Sequence, residues 1–219
     1  MSNVFIVGGA GKVARRLAQQ LAKRGHRPRS LYRHLDQTEA LKALGTEPVP
    51  GSLLELDTDA LAQRMAGSDV VVFSAGAGGK GGPEMTDAID GRGFELTVAA
   101  ARQAGIRRLL LVSVFPETLR GSSVSDTFEN YIAVKKRAEV HLADTDLDWV
   151  IVRPGTLLDS PGCGHVQAGL AVPYGEISRD DVAATLLAII EQPSVNRCII
   201  ELTQGDTPIA KAVQRLIRR

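Results

Sequence analysis

A doubly wound α/β sheet, six to seven parallel strands with helices on both faces, is what the sequence predicts, and three observations carry it. Short aliphatic and β-branched runs alternate with helix-spaced stretches from one end of the chain to the other. Those runs are continuously apolar, as strands buried on both faces of a parallel sheet must be. A glycine-rich turn joins the first run to the first helical stretch. The 219 residues suit a single domain, and neither a repeat nor a linker divides 1–219.

The elements follow in order. Residues 3–8 form the first strand; Val13, Leu17 and Leu21 at helical spacing make 12–24 a helix that Gly25 stops. A second strand is expected at 30–33 and a helix over 37–44. A third strand at 47–50 is confined to an edge role by its two prolines. DTDALAQRMAG (57–67) reads as a helix capped by Asp or Thr. DVVVFSAG (69–76) is a buried strand, 84–105 one long alanine-rich helix, and 106–115 a fifth strand. Helices at 127–143, 179–192 and 207–218 then alternate with strands at 147–155 and 197–205. Asp180 and Asp181 are expected to cap the helix they precede.

Composition narrows the function. Lys plus Arg (26) nearly cancels Asp plus Glu (25), so no basic surface suggests nucleic acid or a membrane. No stretch approaches the roughly 18 apolar residues of a membrane span, and the glycine-interrupted N-terminus is not expected to act as a signal peptide. Cys163 and Cys198 lack metal-ligand spacing, and Cys163 with His165 reads as loop sequence, not as a nucleophile and base. The expectation is a soluble, cytoplasmic protein acting on a small molecule, with an oligomeric state that the sequence does not specify.

The turn Gly8-Gly9-Ala10-Gly11-Lys12-Val13-Ala14 carries the first chemistry. Gly8 suits a tight turn, Gly11 lets backbone approach a pyrophosphate, and Ala14 permits close packing of helix on strand. The helix N-terminus supplies N–H groups and a positive dipole end. A phosphate-transfer P-loop is excluded, because Val13 stands where such a loop has Ser or Thr. An NAD site would end the second strand in a carboxylate. Arg33 stands there instead, offering a planar fork for a 2′-phosphate, so NADP is favoured over NAD. Ser52 and Leu53 follow the third strand, and Leu53 either covers an adenine or is a buried loop residue. Ala75 and Gly76 follow the fourth, small enough for a nucleotide to lie on their backbone. The glycine-rich 76–82 loop is either a lid or a plain connection.

Tyr131 and Lys135 lie four residues apart on one face of a helix, and Ser113 ends the preceding strand. These three groups suit hydride transfer at a carbonyl. The oxygen that gains charge needs a proton; a phenol of pKa about 10 is a poor donor near neutrality unless a lysine ammonium lowers it. A serine hydroxyl can hold the oxygen in place.

The segments VGGAGKVAR, LYR, SAGAGGKGGP, LLLVSV, YIAVK, VIVRPG and EISRDDVA together resemble an atypical short-chain dehydrogenase/reductase, of the NmrA-like and flavin/biliverdin reductase kind. The resemblance spans nearly the whole chain. It implies a Rossmann fold binding NADP, with Ser113, Tyr131 and Lys135 as catalytic residues and Lys135 also holding the nicotinamide ribose. Pro154 to Leu157 would pass the nicotinamide ring, with Arg153 behind it. Asp90 departs from the asparagine many relatives carry. Several atypical relatives do not use the Tyr–Lys pair: they sense NADP or reduce flavins by direct hydride transfer. About sixty-five residues follow the sixth strand, with 156–178 as the substrate-side region, which argues against a bulky nucleotide-sugar substrate. The reading is an NADP-dependent oxidoreductase of a small carbonyl, quinone or flavin-like acceptor, and the alternative is an NADP-reading redox sensor without turnover.

Overall fold

Strand β1 (Asn3–Val7) shows why the apolar runs are continuous. Val4 and Ile6 enter one core, Phe5 and Val7 another, and all four are fully buried. Successive side chains of a strand point to opposite faces, so a sheet covered on both sides needs both sets apolar. The computed structural model describes residues 1–115, 118 and 125–217. Within them the chain runs α1 (Lys12–Lys23), β2 (Arg27–Tyr32), α2 (Thr38–Lys42), β3 (Glu47–Pro50), α3 (Thr58–Met65) and β4 (Val70–Phe73). Next come α4 (Gly82–Thr86), α5 (Gly93–Gln103), β5 (Arg108–Val112), α6 (Asp126–Ala143) and β6 (Asp148–Pro154). The rest comprises β7 (Thr156–Leu158), β8 (His165–Gly169), β9 (Glu176–Ser178), α7 (Arg179–Glu191), β10 (Cys198–Gln204), β11 (Thr207–Pro208) and α8 (Ile209–Gln214).

The main sheet has nine strands in the order β11-β8-β10-β6-β5-β4-β1-β2-β3. The stretch from β10 to β3 is parallel throughout. It is therefore a mixed α/β Rossmann-like sheet, parallel-dominated as expected, with β3 and its prolines at an edge. The addition is antiparallel: β8 pairs with β10, and β11 with β8. Buried residues of α1, α7 and α8 cover one face, and those of α3, α5 and α6 cover the other. The strand order reverses between β1 and β4, which opens a crevice beyond their carboxyl ends.

Several elements differ from expectation. The second strand begins at Arg27, not residue 30, because pairing with β1 runs from Asn3 opposite Arg27. The long helix expected over 84–105 is present as a continuous helical run over 82–103, but a π-helical turn, Asp87–Arg92, replaces the α-helical bonding between α4 and α5. Glycines 91 and 93 lower helix propensity there, and a Cβ at Gly93 would lie 3.1 Å from Leu53. Asp57 caps α3 as expected, accepting from Ala60 N at 2.8 Å. The cap of α7 is Ser178, not the aspartates; its Oγ accepts from Asp181 N at 3.0 Å. The substrate-side region 156–178 holds the strands β7, β8 and β9. The last helix ends at Gln214, and residue 218 lies outside the described residues.

Candidate active site

The crevice contains two cavities that share Ser74, Ala75 and Gly76 as a common wall. The first, about 480 Å³, is lined by Gly8, Ala10 and Gly11 of the turn, Arg33 and His34 after β2, Ser52 and Leu53 after β3, and Ala75 and Gly76 after β4. Gly8 has φ +81°, and a Cβ on it would lie 2.6 Å from the Ala75 Cα, so the turn closes only as glycine. Gly9 faces the other way: its amide donates to Leu31 O at 2.8 Å, and a Cβ would meet Ser30 at 2.4 Å. No side chain caps α1 and no acidic residue stands in its first turn, so its N-terminal N–H groups face the crevice end uncapped. Arg33 stands one residue past β2, exposed, with Nε 2.9 Å from His34 Nε2.

The second cavity, about 680 Å³, is lined by Lys12 and Val13 at the start of α1, Asp90, Ser113, Tyr131, Lys135, Leu157 and Arg179, among others. The helix spacing of Tyr131 and Lys135 and the end of β5 thus bring the three expected catalytic groups to one space. Their partners are not those the sequence suggested. Lys135 is buried; its Nζ donates to Val112 O at 2.9 Å and lies 3.6 Å from Asp90 Oδ1. Burial lowers its pKa, against the pull of Asp90 and Glu139. Tyr131 is not brought below its ordinary value: burial, and then the charge of Asp90, push its phenol upward. Ser113 Oγ donates to Glu139 Oε1 at 2.7 Å, so its hydrogen points away from the cavity.

Glu139 is the residue the sequence reading missed. It lies four residues beyond Lys135 on the same face of α6, so the 131–135–139 stripe was its available signal. Arg153 grips it through two hydrogen bonds, Nε to Oε1 at 2.9 Å and Nη2 to Oε2 at 2.7 Å. Burial pushes the Glu139 carboxyl up, but the bonds from Arg153 and Ser113 carry it below its ordinary value. Pro154 ends β6 opposite Leu202 and, like Gly9, lines neither cavity. Lys12 and Arg179 both reach Asp159, at 2.6 and 3.1 Å, and so tie the start of α1 to the segment after β7. Asp181 accepts from the amides of Cys163 and Gly164, which makes Cys163 and His165 parts of an organised loop.

Among the described residues, no cluster of three or more His, Cys, Asp or Glu could hold a metal ion, and no helix is long and apolar enough to cross a membrane. The residues present do fit a dinucleotide: a turn in which a Cβ would not fit, an uncapped helix N-terminus, and two cavities meeting on small residues.

Comparison with known proteins agrees with that fit. A protein of Bacillus subtilis, named as an uncharacterized sugar epimerase, is 34% identical over 97% of this chain and 99% of its own. A solved Bacillus halodurans protein, described as a candidate NAD-dependent epimerase/dehydratase, superposes with a TM-score of 0.90 at 32% identity, covering 98% of this chain and all (100%) of that one. A Stigmatella aurantiaca ketoreductase of a farnesylated dihydroquinoline oxide is 31% identical over 68% of this chain and 48% of its own. The family described as NAD(P)H-binding matches residues 8–193. This chain belongs to that NAD(P)H-binding family.

Proposed function

We propose that this protein is an NADP-dependent reductase that delivers hydride to a small carbonyl, quinone or flavin-like acceptor. The observation that carries this reading is the convergence of Ser113, Tyr131 and Lys135 on a cavity that shares its wall with one lined by the glycine turn and Arg33. The turn residues Gly8, Ala10, Gly11, Lys12 and Val13 would hold the pyrophosphate, and Arg33, Ser52 and Leu53 the adenosine half. Ala75 and Gly76 would lie between the halves. When bound, the nicotinamide supplies the hydride. Tyr131, kept as a phenol by burial, donates the proton that the developing oxyanion needs, and the Lys135 ammonium one turn away offsets the charge left behind. Ser113 orients the acceptor oxygen once its hydroxyl turns from Glu139. Arg33, as a charged fork at the end of β2, supports NADP over NAD.

A second reading, hydride delivery without an acid, is favoured by one observation: the raised pKa of Tyr131 makes it a reluctant donor. Titration calorimetry with NADPH and NADH, followed by turnover on carbonyl, quinone, flavin and nucleotide-sugar acceptors, tests the proposal. Tyr131→Phe and Lys135→Ala are each expected to lower carbonyl turnover about 10²-fold or more, the usual size of general-acid catalysis. Turnover that survives both changes selects the acid-free route. NADPH binding without turnover of any acceptor points to a redox sensor, and epimerisation of a nucleotide sugar overturns the reductase assignment.

A further inference from the structure

Among the described residues that line the second cavity, four are charged: Lys12, Asp90, Lys135 and Arg179. Asp90 and Lys135 are buried and face each other, Oδ1 to Nζ at 3.6 Å, so their charges offset. Lys12 and Arg179 have no carboxylate among those lining residues to answer them. Both keep open surface, the side chain of Arg179 being 20% exposed and that of Lys12 65%. What they hold is Asp159, which does not line the cavity. Lys12 Nζ donates to its Oδ2 at 2.6 Å, Arg179 Nη1 lies 3.1 Å from Oδ1, and Arg16 Nη2 lies 3.6 Å from the same oxygen. Three cations thus gather on one carboxylate, and Asp180 answers Arg16 alone, at 2.8 Å. Arg179 Nη1 also donates to Leu157 O at 3.1 Å, which fixes the guanidinium beside the cavity wall.

The local surplus is positive, and the two cations are already spaced for a carboxylate, one on each oxygen. A cofactor pyrophosphate does not claim Arg179 by position. Gly8, Ala10 and Gly11 of the turn line the first cavity, whereas Arg179 lines the second, together with Ser113 and Tyr131. Exposed ion pairs contribute little to stability, so exchanging Asp159 for a ligand carboxylate costs little. We propose that the acceptor reduced in the second cavity carries a carboxylate, and that Arg179, seconded by the Lys12 ammonium, selects it by exchange for Asp159. This rests on the reductase reading above and names its substrate class.

The test compares two probes of one shape, 4-carboxybenzaldehyde and its neutral isostere 4-formylbenzamide. Each is titrated calorimetrically at low salt into protein saturated with NADP⁺, which has no hydride to give, so binding is read without reduction. Wild type is expected to bind the carboxylate about tenfold or more tightly than the amide, the size of one charge-assisted hydrogen bond. Arg179→Gln should bring that ratio within about threefold and leave NADPH affinity within about threefold. Asp159→Asn, which removes the competing carboxylate, should tighten the carboxylate probe severalfold and leave the amide unchanged, a gain that damaged folding cannot imitate. Equal affinities in wild type, binding of neither probe, or no gain in Asp159→Asn each overturn the proposal. A loss of NADPH affinity in Arg179→Gln as large as the loss of the carboxylate probe also overturns it, since Arg179 would then serve the pyrophosphate. NADPH oxidation by wild type with each aldehyde is followed in parallel. Selective binding without reduction of either aldehyde counts against the reductase reading while the carboxylate site stands. Wild type that binds no NADPH removes the cofactor reading and this proposal with it, before any variant is made.

Discussion

Arg33 illustrates how much a single residue can decide. It is exposed and flanked by His34, so it contributes little to folding, and its position one residue past β2 puts it in the wall of the first cavity. A hydrogen bond to a charged group contributes about 1.5–3 kcal/mol. Arg33→Ala is therefore expected to weaken NADPH about 10–100-fold while changing NADH affinity less than about threefold. Paired titrations check this; equal losses for both nucleotides would show that Arg33 does not read a 2′-phosphate. Tyr131 and Lys135 teach the opposite lesson. Their spacing was legible, but their electrostatics were not, because the burial that sets the direction of both shifts, and the Asp90 charge that adds to one and opposes the other, come from tertiary packing.

At the scale of elements, the turn between β1 and α1 is closed tightly enough to exclude a side chain. A side chain at Gly8 meets two penalties, the left-handed φ of +81° and the overlap with Ala75 backbone. Strain of about 1–3 kcal/mol and overpacking of similar size add to roughly 3 kcal/mol or more. Gly8→Ala should lower the melting temperature by roughly 6–12 °C in a chain of this size and abolish dinucleotide binding. A thermal melt that does not move would mean the turn relaxes around the extra carbon. The long helix with a π-helical turn inside it is the counter-example at this scale. Its alanines predict one long element, and the π-helical turn that sets Asp90 into the cavity left no periodic signal, since one extra residue in a turn leaves composition unchanged.

Across the whole molecule, one chain of contacts ties the candidate site at Ser113 to the sheet. Ser113 follows β5, Glu139 is on α6, Arg153 on β6 and Glu201 on β10, linked at 2.7, 2.7 and 3.7 Å in that order. Glu139 is held below its ordinary pKa in the folded state. Its contribution is thus complete above the unfolded value of about 4.3 and is lost as pH falls through the folded value. Glu139→Gln leaves Arg153 without its bidentate partner and should cost on the order of 3 kcal/mol at pH 7. Below the folded pKa, where wild-type Glu139 is itself protonated, the gap between the two proteins should narrow. Urea unfolding at neutral and acid pH measures both; a gap that stays constant with pH would show that the carboxyl charge is not what stabilises the network.

By itself the sequence determined the parallel sheet, its helices on both faces, the glycine turn and the stripe that carries Tyr131 and Lys135. These are local or periodic properties, written in residue spacing and in the conformations that glycine and proline allow. Tertiary structure alone decided the rest. The antiparallel strand β8 forms because the edge of β10 offers unpaired backbone groups, and β11 then pairs with the free edge of β8; nothing in residues 156–178 announces either pairing. Asp90 meets Lys135, and Glu139 meets Arg153, across separations that no spacing rule covers. Burial then sets the direction in which Tyr131 and Lys135 titrate, whereas at Glu139 the bonds from Arg153 and Ser113 outweigh it, and both effects exist only once the two cores have closed around the sheet.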